Sequence, residues 1–109
     1  LVIPVQTEFF CMEGIPDLFQ TLETVRTYFN PKLAIEGILL TMYDERTNLS
    51  KQVAEEIRKS LKHILFDAVI PRSVRLAEAP SFGKPIVLYD IRSKGAEAYI
   101  NLAEEIIRR

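Results

Sequence analysis

The chain has 109 residues, 48% of them apolar and 27% charged, with a net charge of −1. That is room for one domain of ordinary globular balance, and the charge singles out neither a polyanion nor a membrane surface as partner. A lone cysteine, Cys11, excludes an internal disulfide and fits a reducing compartment; with the single histidine it excludes the usual zinc sites, and no apolar run approaches the ~18 residues that span a bilayer.

Leu1–Val5 is short, apolar and β-branched, and reads as a buried strand end. The chain opens on it without Met, a polar lead-in or a signal-peptide pattern, so upstream sequence is expected to have been removed. After a polar and aromatic loop, Gln6–Glu13, the spacing of Ile15, Leu18, Phe19, Leu22, Val25 and Phe29 predicts a helix over about 15–29. Pro16 suits its first turn and Asn30-Pro31 ends it. Leu33–Met42 is almost continuously apolar, as a parallel strand buried on both faces requires. Past the loop Tyr43–Asn48, with Thr47, Asn48 or Ser50 as cap, Leu49, Val53, Ile57 and Leu61 mark one face of a helix. Phe66–Ile70 reads as a third strand. Pro71–Pro85 reads as a long loop with a helical turn near Leu76–Ala79, and Ile86–Tyr89 as a short fourth strand. Ser93 caps a last helix whose stripe is Ala96, Tyr99, Ile100, Ala103, Ile106 and Ile107. Strands alternating with helices imply an α/β fold with a parallel sheet, in which ligands bind at the carboxyl ends of the strands.

No Gly-x-x-x-x-Gly-Lys-Ser/Thr loop is present among the four glycines: Gly83-Lys84 runs into Pro85, which has no N–H to offer a phosphate. There is no Gly-x-Gly-x-x-Gly and no serine in a nucleophile elbow, and His63 reads as a helix C-terminal residue rather than a catalytic one. From Pro71 to Lys94, five basic residues (Arg72, Arg75, Lys84, Arg92, Lys94) face two acidic ones (Glu78, Asp90), a local +3 that leaves the rest of the chain at −4. Such a patch on an acidic protein suits a polyanion; it equally suits a solvated loop whose arginines pair with nearby carboxylates. In Thr41–Asn48, Arg46 can reach a phosphate, whereas Thr47 and Asn48 serve equally as caps.

Taken together, several segments resemble the ParA/Soj family of chromosome and plasmid partition ATPases. They are Ile3-Pro-Val-Gln-Thr-Glu-Phe-Phe, Met12-Glu-Gly, Ile35-Glu-Gly-Ile-Leu-Leu-Thr-Met-Tyr-Asp, Arg46-Thr-Asn-Leu-Ser, Val69-Ile-Pro-Arg-Ser-Val-Arg-Leu-Ala-Glu-Ala-Pro-Ser, Gly83-Lys-Pro-Ile, Tyr89-Asp and Lys94-Gly-Ala-Glu-Ala-Tyr. The resemblance implies that residues 1–109 are the C-terminal half of a P-loop NTPase domain of the deviant Walker A class. Its fold would be a doubly wound, mostly parallel sheet whose Walker A and Walker B elements lie upstream. It implies ATP with magnesium in the intact protein, nucleotide-dependent homodimerisation, DNA binding without sequence preference, a ParB-like centromere-binding partner, and a cytoplasmic, nucleoid-associated location without a membrane role. Carried over by position, Arg46 and Arg75, and more weakly Arg72 and Lys84, hold DNA. Thr41, Met42, Pro71 and Arg72 enclose the adenine, while Glu8, Phe9 and Glu13 lie near the dimer interface. No catalytic residue and no metal ligand falls on this chain, so alone it should neither hydrolyse ATP nor bind it tightly, and its unpaired sheet edge should favour self-association.

Two other readings stay open. A MinD-like, membrane-associated ATPase would end in a basic amphipathic helix, whereas this last helix needs its apolar stripe for the sheet. A non-catalytic interaction module would turn the basic loop into a protein-binding surface.

Overall fold

A computed structural model describes residues 1–7 and 14–109, apart from the Ile15 side chain. Three strands form the sheet: β1 (Val2–Gln6), β2 (Gly37–Tyr43) and β3 (Leu65–Pro71), all parallel, in the order β1-β2-β3. Between them run α1 (Gly14–Tyr28) and α2 (Asn48–Leu61), and after β3 come α3 (Val74–Glu78), α4 (Ile86–Tyr89) and α5 (Lys94–Arg108), with 3-10 turns at Lys62–Ile64 and Ala79–Phe82. This is the α/β class with parallel strands that the alternation predicts.

The core lies on both faces of the sheet. On one, Ile3, Val5, Ile38 and Leu40 meet Leu22 of α1 and Val53, Ala54 and Ile57 of α2. On the other, Leu39, Phe66 and Ile70 meet Ala98 and Leu102 of α5. Ile38, Leu39 and Leu40 are all buried, which is why β2 is apolar at consecutive positions instead of alternating. Fully buried side chains such as Ile57 contribute about 1.5–3 kcal/mol each from burial.

Two irregularities shape the sheet. Ile38 pairs with Leu65 and Leu40 with Val69, so β3 carries extra residues there; Leu40 pairs with Val69 and Tyr43 with Pro71, so the next excess is on β2. The first bulge turns the N–H groups of both Asp67 and Ala68 toward the Glu105 carboxylate, each at 2.9 Å. The second contains Met42, whose φ of 55° is left-handed and rare for a residue with a side chain.

Three expectations need correction. Ile86–Tyr89 is a helical turn, not a fourth strand: the Pro85 carbonyl accepts from Leu88 and Tyr89, and Ile86 accepts from Asp90. A four-residue apolar run has no period by which to tell strand from helix. The buried face of α5 is Gly95, Ala98, Leu102 and Glu105, with Ala96, whereas Tyr99, Ile100, Ala103, Ile106 and Ile107 are exposed. The bulge in β3 directs two N–H groups at Glu105, and α5 turns that residue, with Gly95, Ala98 and Leu102, inward in place of its most apolar stripe. Phe29, placed on the stripe of α1, falls just beyond the helix end and is exposed.

Candidate functional site

The carboxyl ends of all three strands open into one cavity of about 610 Å³. Gln6 comes from the end of β1, Thr41 and Met42 from β2, Ile70 and Pro71 from β3, Arg72 and Ser73 from the turn that follows, and Val74 from the start of α3. Arg46 lines it from the β2–α2 loop, and Leu76, Ala77 and Tyr99 close it from α3 and α5. The lining is mostly apolar with two arginines, a composition that takes a flat, weakly polar group beside an anionic one.

A buried network fixes the mouth. The Thr7 N–H and hydroxyl both donate to the Thr41 carbonyl, at 3.0 and 3.1 Å. With its proton committed there, Thr7 Oγ1 accepts from Ser50 Oγ at 3.2 Å, and Ser50 Oγ accepts from the Asp44 N–H at 3.2 Å. The Thr47 side chain accepts from Ser50 N as the N-cap of α2. Thr7 and Ser50 are completely enclosed, so the ends of β1 and β2, the Asp44 turn and the start of α2 form one unit. Sequence reasoning missed Thr7 and took Ser50 only for a possible cap; a small hydroxyl residue at a strand end and another in the first turn of a helix were the available signal. It also missed the backbone of Met42, since nothing in Thr-Met-Tyr marks a left-handed residue.

Five of the predicted residues are brought together: Thr41, Met42, Arg46, Pro71 and Arg72 all line the cavity. The Arg72 N–H donates to the Tyr43 carbonyl at 2.9 Å, which ties the β3 turn to the end of β2. Arg75 and Lys84 stand apart. Arg75 is on α3, within 3.4 Å of both Glu78 and Asp90, and its guanidinium lies 6.0 Å from the centre of the Tyr89 ring. The Tyr89 hydroxyl donates to Glu78 at 2.7 Å, which raises its pKa, and Phe82 stacks on its ring. Lys84 borders a separate apolar groove with Pro80, Pro85 and Ile86. Glu8, Phe9 and Glu13 lie outside the described residues.

Arg46 is also paired. Its Nε and Nη2 donate to the two oxygens of Asp44, at 3.0 and 3.1 Å, and its backbone N–H donates to Asp44 Oδ1 at 3.0 Å. These side-chain and backbone hydrogen bonds hold the Asp44 carboxyl below its ordinary pKa, so it is anionic throughout the neutral range. The expectation that arginines of the Pro71–Lys94 segment pair with nearby carboxylates is met at Arg75, and Arg46, outside that segment, is paired too. Among the described residues no three acidic, His or Cys side chains are grouped so as to hold a metal ion, and no helix is long and apolar enough to cross a membrane.

Comparison with known proteins agrees with this architecture. Residues 6–86 match the CobQ/CobB/MinD/ParA nucleotide binding domain. The chain is 52% identical over 107 residues to the chromosome partitioning protein ParA of Caulobacter vibrioides, covering 98% of this chain and 40% of that protein. It is 54% identical over 106 residues to the sporulation initiation inhibitor protein Soj of Bacillus subtilis (97% and 42%), and 51% over 109 residues to the chromosome-partitioning ATPase Soj of Thermus thermophilus (100% and 44%). It therefore spans about two fifths of the length of these relatives. With a parallel α/β sheet, a cavity at its strand ends and a family match over most of its length, the chain belongs to the CobQ/CobB/MinD/ParA nucleotide binding domain family.

Proposed function

We propose that residues 1–109 are the C-terminal part of a ParA/Soj-type ATPase that segregates DNA, and that this part supplies the base end of the ATP site and part of a DNA-binding surface. The observation that carries the reading is the convergence of Thr41, Met42, Pro71 and Arg72 on one apolar cavity at the carboxyl ends of parallel strands. The Pro71 ring and the Arg72 guanidinium suit a purine face, and the bulge at Met42 sets the end of β2 against it. The triphosphate and magnesium fall to Walker elements outside these residues, so this chain's own part is to bind and orient the base. ATP-dependent dimerisation, a ParB-like partner and association with the nucleoid belong to the same reading.

Arg46 and Arg75, with Arg72 and Lys84, are the DNA contacts in this proposal. The ion pairs of Arg46 and Arg75 do not argue against it, because exposed pairs are worth only about 0–1 kcal/mol and a phosphate backbone can replace them. The test is DNA affinity of the full-length protein across a salt series. Arg46→Glu and Arg75→Glu should each weaken binding to duplexes of unrelated sequence alike, and each should lower the slope of log K against log salt by about 1. Unchanged affinity and slope in both variants would refute the DNA assignment while leaving the base site to be judged by nucleotide binding.

A further inference from the structure

The Arg46 guanidinium is engaged edge-on by a single carboxylate, that of Asp44, through both Nε and Nη2. The partners differ sharply in exposure: the Arg46 side chain is 86% exposed, the Asp44 side chain 14%. Asp44 is therefore the fixed member. Its N–H is held by Ser50 in the buried network, and its carboxylate is held by the Arg46 backbone as well as its side chain. The guanidinium edge that Asp44 occupies is the bidentate edge by which arginine grips a phosphate.

We infer that Asp44 is a built-in counterion that competes with polyanion for Arg46, so that DNA binding at this loop requires exchange of one anion for another. This deepens the proposed DNA-binding reading and rests on it. The exchange limits the gain from Arg46, because the new phosphate contact replaces an existing charge-assisted pair. A weak contact of this kind suits a surface that must release as readily as it binds. Arg75, shared between Glu78 and Asp90 at 3.4 Å, follows the same pattern with looser geometry.

The experiment measures the affinity of the full-length protein for a mixed-sequence duplex at fixed salt and saturating ATP. Asp44→Asn is the central variant, since the amide oxygen can still accept the Arg46 backbone N–H and keep the turn. Asp44→Ser, which can accept the same bond, guards against a defect peculiar to asparagine. Glu45→Gln removes an adjacent charge and measures the general gain from a less acidic surface. Removing the competitor should tighten binding about two- to five-fold, the scale of one exposed ion pair, and by more than Glu45→Gln does. In an Arg46→Ala background the extra gain should vanish, as coupling through one contact requires. If Asp44→Asn and Asp44→Ser weaken binding, or match Glu45→Gln, or tighten it equally without Arg46, the inference is overturned. If Arg46→Ala alone leaves affinity unchanged, Arg46 is not a DNA contact and the inference fails, while the DNA reading fails only if Arg75→Glu is silent as well. A loss with Arg46→Ala but no gain with Asp44→Asn rejects only the competition.

Discussion

Glu105 carries a carboxylate into the interior, only 9% exposed, because the bulge in β3 leaves two adjacent backbone N–H groups with no strand to meet them. Its two oxygens accept from Asp67 and Ala68, and Arg109 stands 3.3 Å away as a counter-charge. Arg109 also lies over the Phe66 ring, 4.2 Å from its centre, and donates to the Glu36 carbonyl, so one ion pair ties α5 to β3 and to the start of β2. Leaving a buried donor without an acceptor costs about 1–3 kcal/mol. Glu105→Ala should therefore lower the stability of the protein by roughly 2–4 kcal/mol, read as a lower urea midpoint. Glu105→Gln keeps one acceptor oxygen and should lose markedly less. Equal losses would mean that the charge matters at this position and neither the volume nor a neutral acceptor oxygen does. None of this was legible in the sequence. Glu105 carries no sign of this role in the sequence, because a bulge in β3, with α3 and α4 in between, leaves no local mark on α5.

At the scale of elements, the pattern in the chain specified more. β2 was recognisable as a buried strand from unbroken apolar residues, and α2 from the spacing of Val53, Ile57 and Leu61 with a capping hydroxyl ahead of it. Thr47 and Ser93 do cap their helices, accepting from Ser50 N and Ala96 N. The reading failed where an element was too short to have a period, as at α4, or where packing overrode the stripe, as at α5. The candidate site was legible in part. Thr41, Met42, Pro71 and Arg72 could be grouped by resemblance, but the hydroxyl network that holds their frame depends on Thr7 and Ser50 meeting across 43 residues of sequence. Gly95 belongs at this scale too. A Cβ there would come within 2.6 Å of Leu76 Cγ, so the glycine lets α5 close on α3 and on the floor of the cavity, where Leu76 is a lining residue. Gly95→Ala should cost about 1–3 kcal/mol through overpacking, despite the better helix propensity of alanine. A rise in melting temperature instead would show that Leu76 gives way and that the close approach is not required.

For the whole molecule, the question is what 109 residues do when isolated. β1 stands at one end of the strand order, so among the described residues its outer side has no neighbouring strand. An unpaired strand invites another chain. Pro4 works against this: the Glu36 N–H donates to the Leu1 carbonyl and the Thr7 N–H to the Thr41 carbonyl, so by alternation odd residues face β2 and Pro4 faces outward without an N–H. The second exposed surface is the α5 strip of Tyr99, Ile100, Ile106 and Ile107, the last 81% exposed, which is apolar and needs no strand register. Both favour self-association, and the strip is the less impeded of the two. The isolated chain should sediment above its monomer mass of 12.5 kDa at concentrations on the order of tens of micromolar. Ile107→Lys, a change at an exposed site that disturbs no core contact, should shift it toward monomer. If association survives that substitution undiminished, the β1 edge carries it despite Pro4. A monomer for the unaltered chain would mean that neither surface is adhesive, and that solvated lysines and arginines suffice to keep copies apart.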